Sequence, residues 1–78
     1  MNGAELRAAR ATLGLSANAL ARLVGVRSKT DPGATVRRWE RGTDDVPPHV
    51  ETIIVLCQRS PRNLAAALSL ADARQADG

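Results

Sequence analysis

The 78-residue chain has no phenylalanine or tyrosine, and only one tryptophan, one cysteine, one histidine and one lysine. Each scarcity removes a class of protein. A sandwich or barrel needs aromatic and β-branched strands for its core; the apolar residues here are mostly Ala, Leu and Val, which suit close-packed short helices. Cys57 alone gives no internal disulfide and no cysteine-based zinc site, and it fits a reducing compartment. No apolar run reaches membrane-spanning length and the N-terminus carries no signal-peptide core, so a soluble, cytoplasmic protein is expected. His49 and Cys57 fall on one expected helix, about 12 Å apart along its axis, too far for a nucleophile–base pair or a shared metal. Phosphate-cradling glycine loops, paired-carboxylate motifs and zinc-ligand clusters are missing as well. Neither enzymatic activity, nor a metal, nor a cofactor is expected.

What the chain does have is arginine, which makes up ten of the eleven basic residues. Arginine makes bidentate contacts to phosphate and guanine that lysine cannot. The net charge is only +3, but residues 22–41 carry six basic groups against two acids, so that one stretch of the chain holds the whole excess. A localised basic patch points to a polyanionic partner. Within it lies Ala34-Thr35-Val36-Arg37-Arg38-Trp39-Glu40-Arg41-Gly42. At helical periodicity, Val36, Trp39 and Glu40 project to one side and Ala34, Arg38 and Arg41 to the other, with Thr35 and Arg37 on the flanks. So short a helix is unstable alone in water, so its Val/Trp side must dock and leave an arginine ridge outward. A solvated amphipathic helix would show the same pattern, and the remaining residues have to decide between the two.

Five helices are expected, making the chain all-α. Asn2 and Glu5 have the form of a capping box for a helix ending at Leu13-Gly14, with Leu6, Ala9, Arg10 and Leu13 on one face. Ser16 caps a second, about 17–24, with Leu20, Leu23 and Val24 inside, Ala21 small enough for a close crossing, and Leu15 and Leu20 able to form a hydrophobic staple. Asp31-Pro32 reads as cap plus proline at the first position of the arginine-rich third helix. The fourth runs about 48–58 and buries Val50, Ile53, Ile54 and Cys57. The fifth runs about 61–73, with Leu64, Ala65, Leu68 and Ala71 on one side. Residues 1–74 make one domain, and 75–78 are expected to be a disordered tail.

Arg10, Leu13-Gly14-Leu15-Ser16, Leu20-Ala21, Leu23-Val24-Gly25-Val26, then Val36, Trp39-Glu40-Arg41-Gly42 and a proline-led fourth helix together resemble the lambda-repressor-like helix-turn-helix family. The match covers about residues 4–58. It looks most like that family's small phage or prophage repressors and autoregulators, including regulators found beside anti-CRISPR genes. The resemblance implies that Arg10 in the first helix pairs with Glu40 at the end of the third, which would explain an arginine on an apolar stripe. It implies that the third helix enters the major groove, with Gly33, Ala34, Thr35, Arg37 and Arg38 toward base edges. Arg38 is the first choice as base reader, since its guanidinium can span guanine O6 and N7. Phosphate contacts fall to Ser16, Ala17 and Asn18 at the start of the second helix, and to Arg41 and Thr43.

Two departures stand out. The connection Val26-Arg27-Ser28-Lys29-Thr30-Asp31-Pro32-Gly33 is longer than the family's tight turn. It forms either a basic flap adding phosphate contacts through Arg27 and Lys29 or an extension of the third helix. The loop after the third helix carries Asp44 and Asp45, which a DNA backbone would repel unless they turn away. One recognition helix gives too small an interface for a specific site, so a homodimer on a palindromic operator is expected, with Leu64, Leu68 and Leu70 as its surface; Leu64 and Leu68 are equally suited to capping the monomer's own core. The function implied is an autoregulatory transcriptional repressor associated with the nucleoid. The alternative from another class is an antitoxin, which neutralises a partner protein and binds DNA secondarily.

Overall fold

The computed structural model describes residues 1–77, with side chains through Arg74, and every regular element in that span is a helix. The order is α1 (Gly3–Leu13), α2 (Ala17–Leu23), α3 (Gly33–Arg41), α4 (Pro48–Arg59) and α5 (Pro61–Asp77). Local chemistry sets most of the boundaries. The Asn2 carboxamide oxygen accepts the Glu5 amide at 2.8 Å, and the Glu5 carboxylate accepts the Asn2 amide at 3.0 Å. Two orphan amides at the start of α1 are thereby satisfied reciprocally. Gly14 ends that helix in the left-handed region at φ 71°, where a side chain would be strained. Ser16 Oγ then accepts the Ala19 amide at 3.0 Å and opens α2.

The start of α3 differs from the expectation. The helix begins at Gly33; Pro32 holds the cap position with helical dihedrals and has no side chain able to cap it. The Asp31 carboxylate, expected as the cap, turns instead to the Arg37 guanidinium. The amide left over at Gly33 is met from α2, where Asn18 Oδ1 accepts it at 2.9 Å. A neighbouring helix thus supplies the cap, worth about 1 kcal/mol by analogy with ordinary N-caps, and ties α3 to α2 at the same time.

Leu6, Leu20, Val36, Val50 and Ile54 are almost fully buried, so each of the first four helices contributes to one core. Trp39 joins them at 6% exposure, whereas Ile53, expected in the core, is only half-buried. Burying Val36 and most of Trp39 contributes several kcal/mol, which is what a nine-residue helix lacks by itself. The N-terminus of α1 lies close against the end of α3: a Cβ on Gly3 would collide with the carbonyl oxygens of Trp39 and Glu40.

α5 closes the core from the other side and is longer than expected. It stays helical to Asp77, so the tail expected to be disordered from residue 75 is helical as far as that residue; Gly78 lies outside the described residues. Its inward stripe is Leu64, Ala67, Leu68 and Ala71. Ala65, expected on that face, is exposed, because Ala67 takes the i+3 position. Near its end Arg74 Nη2 donates to the Arg22 carbonyl at 2.9 Å and the Leu23 carbonyl at 3.3 Å. A cation there gives the Leu23 carbonyl a donor, adds one to the Arg22 carbonyl, which also accepts the Gly25 amide at 3.2 Å, and suits the negative end of the α2 dipole.

Candidate functional site

α3 carries the arrangement that its sequence pattern suggested. Val36 and Trp39 are buried, while Arg37, Arg38 and Arg41 are exposed and Ala34 and Thr35 are partly so. Three arginine–carboxylate pairs surround this helix, and their burial separates them. Arg10 donates Nε to Glu40 Oε2 at 2.6 Å and Nη2 to Oε1 at 3.1 Å, a bidentate pair, and adds Nη1 to the Leu15 carbonyl at 3.2 Å. The two side chains are 23% and 9% exposed. Hydrogen bonding to Glu40 holds the Arg10 proton more firmly than usual, against an opposing desolvation. The sequence-expected partnership is therefore formed, and it joins α1 to the end of α3.

The other two pairs lie on the outer surface. Arg37 Nη2 meets Asp31 Oδ2, and Arg38 Nε donates to Asp44 Oδ2 at 3.0 Å. All four side chains are close to half exposed, so each pair contributes no more than about 1 kcal/mol. What these pairs fix is direction. With Nε held by Asp44 and Nη2 in a long 3.5 Å contact to Thr35 Oγ1, the Arg38 guanidinium is oriented from two sides, and its Nη1/Nη2 edge presents one free donor and one weakly engaged donor to a planar bidentate acceptor. The same pairing resolves the oddity of acids after α3: Asp44 is turned onto Arg38, and Asp45 beside it is exposed.

The remaining expected site residues divide in two. Gly33 is buried against Asn18 and Arg37, and its amide is taken by Asn18 Oδ1, which corrects its assignment as a base contact. Ser16 Oγ and Asn18 Oδ1 are engaged in caps, leaving the Asn18 carboxamide nitrogen as a donor. Ala17 is half-buried. Thr43 gives its amide to the Arg38 carbonyl at 3.0 Å, and its side chain is exposed. Arg27 and Lys29 line an open cleft between the 25–32 connection and α5, apart from the α3 ridge. Leu64 and Leu68 pack on the protein's own core; Leu70 is 63% exposed.

Sequence reasoning passed over Arg7. It lines a small groove with Arg10, Arg37, Glu40 and Arg41, extending the basic surface from α3 onto α1. The signal was available: Arg7 stands one turn before Arg10 on the same helix. The described residues contain no group of three or more acidic, His or Cys side chains able to hold a metal, and no helix long and apolar enough to cross a membrane. No family model, curated protein or solved structure matches this chain.

Proposed function

We propose that this protein is a sequence-specific DNA-binding regulator of the lambda-repressor-like helix-turn-helix type, with α2 and α3 as its two motif helices. The observation that carries the reading is the α3 ridge: a short helix with its Val36/Trp39 side buried, its end clamped by Arg10–Glu40, and three arginines outward. In this reading α3 lies in a major groove. Arg38 reads guanine, Thr35 and Ala34 meet neighbouring base edges, and Arg37, Arg41, Thr43, Ser16 and Asn18 contact phosphates. The Asp44 contact supports the Arg38 role, because it holds Nε and leaves on the outer edge only the long Nη2 contact to Thr35 Oγ1, which guanine O6 and N7 would replace. Arg7 joins the phosphate contacts. A homodimer on a palindromic operator follows from the small area that one module covers, with the exposed Leu70 side chain as an apolar contact. Occupying its own promoter makes the protein an autoregulatory repressor.

Footprinting on the DNA upstream of its own reading frame tests this directly. Arg38→Ala is expected to cost about 1–3 kcal/mol and relax preference at one base pair per half-site. Arg41→Ala is expected to weaken all sequences alike and flatten the salt dependence. Equal weakening of every sequence by Arg38→Ala would remove it as base reader. Absence of any preference over random duplex would remove the reading itself.

A further inference from the structure

A second basic feature lies outside the α3 ridge. The connection 25–32 stands off α5 and leaves an open cleft of about 1300 Å³, lined by Arg22, Arg27, Lys29 and Arg74 together with hydroxyl and apolar side chains. Among the described residues no carboxylate lines it. Asp31, the acid next to it in sequence, is drawn away to Arg37. Arg22, Arg27 and Lys29 make no ion pair among the described residues. These four cations exceed the net charge of the entire chain, +3, so the rest of the molecule is slightly acidic. A concave surface lined by one sign of charge, with low-dielectric walls, concentrates counter-ions. Arg74 is fixed in place by the α2 carbonyls. Ser28 Oγ accepts the Thr30 amide at 3.4 Å and the Asp31 amide at 3.2 Å, folding the connection on itself.

We propose that this cleft is a binding site for a small molecule bearing two or more phosphates. The cations come from α2, the connection and α5, more charge and more room than a single phosphate fills. Val26, Pro32 and Ala71 offer apolar wall to whatever carries the phosphates. The proposal stands independently of the DNA reading. Because Pro32 is both a cleft wall and the residue that precedes α3, an occupied cleft would also order the approach to that helix.

Phosphate could come from a free small molecule or from a nucleic-acid backbone, so the experiment has an arm for each. Sodium tripolyphosphate is titrated calorimetrically into the full chain at fixed ionic strength, with sodium sulfate as reference. The expected result is one tripolyphosphate per chain, bound at least tenfold more tightly than sulfate. Arg27→Ala/Lys29→Ala should weaken it at least tenfold, while Arg59→Ala/Arg62→Ala, removing the same charge elsewhere, should change it less than twofold. All four side chains are exposed, so both variants keep their melting temperature. On the unsubstituted chain, amide resonances of residues 25–31 and 71–74 should move more than those of 33–41, a readout independent of any variant. Equal losses in the two variants, several ions per chain, or no binding would overturn the site. Displacement of tripolyphosphate by a random duplex would overturn the small-molecule assignment in favour of backbone phosphate. A chain that binds tripolyphosphate and no duplex keeps this site and loses only the DNA reading.

Discussion

Glu40→Ala should be among the most damaging single changes in this chain, and the reason can be worked from three contacts. The substitution removes both acceptors of the bidentate pair and leaves Arg10 with the Leu15 carbonyl alone. Stranding one member of a buried pair costs about 3–5 kcal/mol. Arg10 is 23% exposed, so water recovers part of that loss and about 2–3 kcal/mol remains. In a domain of this size each kcal/mol moves the melting temperature by about 4–8 °C, so a drop of about 10–20 °C is expected in calorimetry or circular dichroism. Arg10→Met/Glu40→Leu, which replaces both charges with apolar groups of similar length, should recover most of it, since an intact buried pair is close to neutral against a hydrophobic isostere. The sign of the pH dependence follows from Arg10. Its folded-state pKa is raised, so its contribution is complete below the ordinary guanidinium value and is lost only as pH climbs past it, beyond any working pH. A double variant as unstable as the two single losses combined, or a Glu40→Ala protein within 0.5 kcal/mol of the parent (about 3 °C by the same conversion), would refute the reasoning.

Gly3→Ala, at the first position of α1, puts a methyl against the Trp39 and Glu40 carbonyl oxygens, backbone that cannot step aside, so a loss of about 1–3 kcal/mol is expected by thermal melt, and a gain would contradict that contact. Asn18→Ala should cost about 1 kcal/mol through the lost Gly33 cap, with Asn18→Asp, which keeps the acceptor, restoring stability; equal losses in both would deny the cap. Cys57 is buried and its thiol pKa is raised by desolvation, so reaction with a disulfide reagent should track global unfolding. Above the ordinary thiol pKa the unfolded chain loses a proton that the folded one keeps, and stability should decline there; Cys57→Ser should make that decline shallower, leaving the part that comes from the Met1 ammonium, whose pKa is raised by its hydrogen bond to Glu51.

The fold was legible wherever one element's own residues decide it. Asn2 with Glu5, Gly14, Ser16 and Gly42 are local signals, and each performs in the structure as its type predicts. The Arg10–Glu40 pair spans thirty positions and was still legible, because a charge on an apolar stripe demands a partner and the family resemblance indicated which. Legibility ended where one element completes another. Asn18 capping Gly33 depends on how α2 meets α3, and no pattern within 31–33 reports it. Asp31 and Asp44 each sit six residues from their arginine, across a helix end, a spacing that follows from loop path and not from helical periodicity. The inner face of α5 was misjudged at Ala65 because alanines at 65, 66 and 67 offer the periodicity no contrast.

The three arginine–carboxylate pairs share one chemistry and do different work because they differ in access to water. Arg10–Glu40 holds the fold because neither member can be solvated well alone. Arg37–Asp31 and Arg38–Asp44 contribute little to stability, since water and salt compete for both members, and for that reason they can open when a stronger acceptor arrives. On the proposed reading this gives the ridge two charge states. In the free protein Asp31 and Asp44 offset two of its three arginines, so on the ridge a random polyanion meets Arg41, with Arg7 beside it, and two arginines whose charge is already opposed. A duplex that offers phosphates and a guanine edge in the right places can engage all three. Charges that are paired but exposed therefore lower the attraction to arbitrary DNA more than the attraction to a matching site, and discrimination depends on that difference.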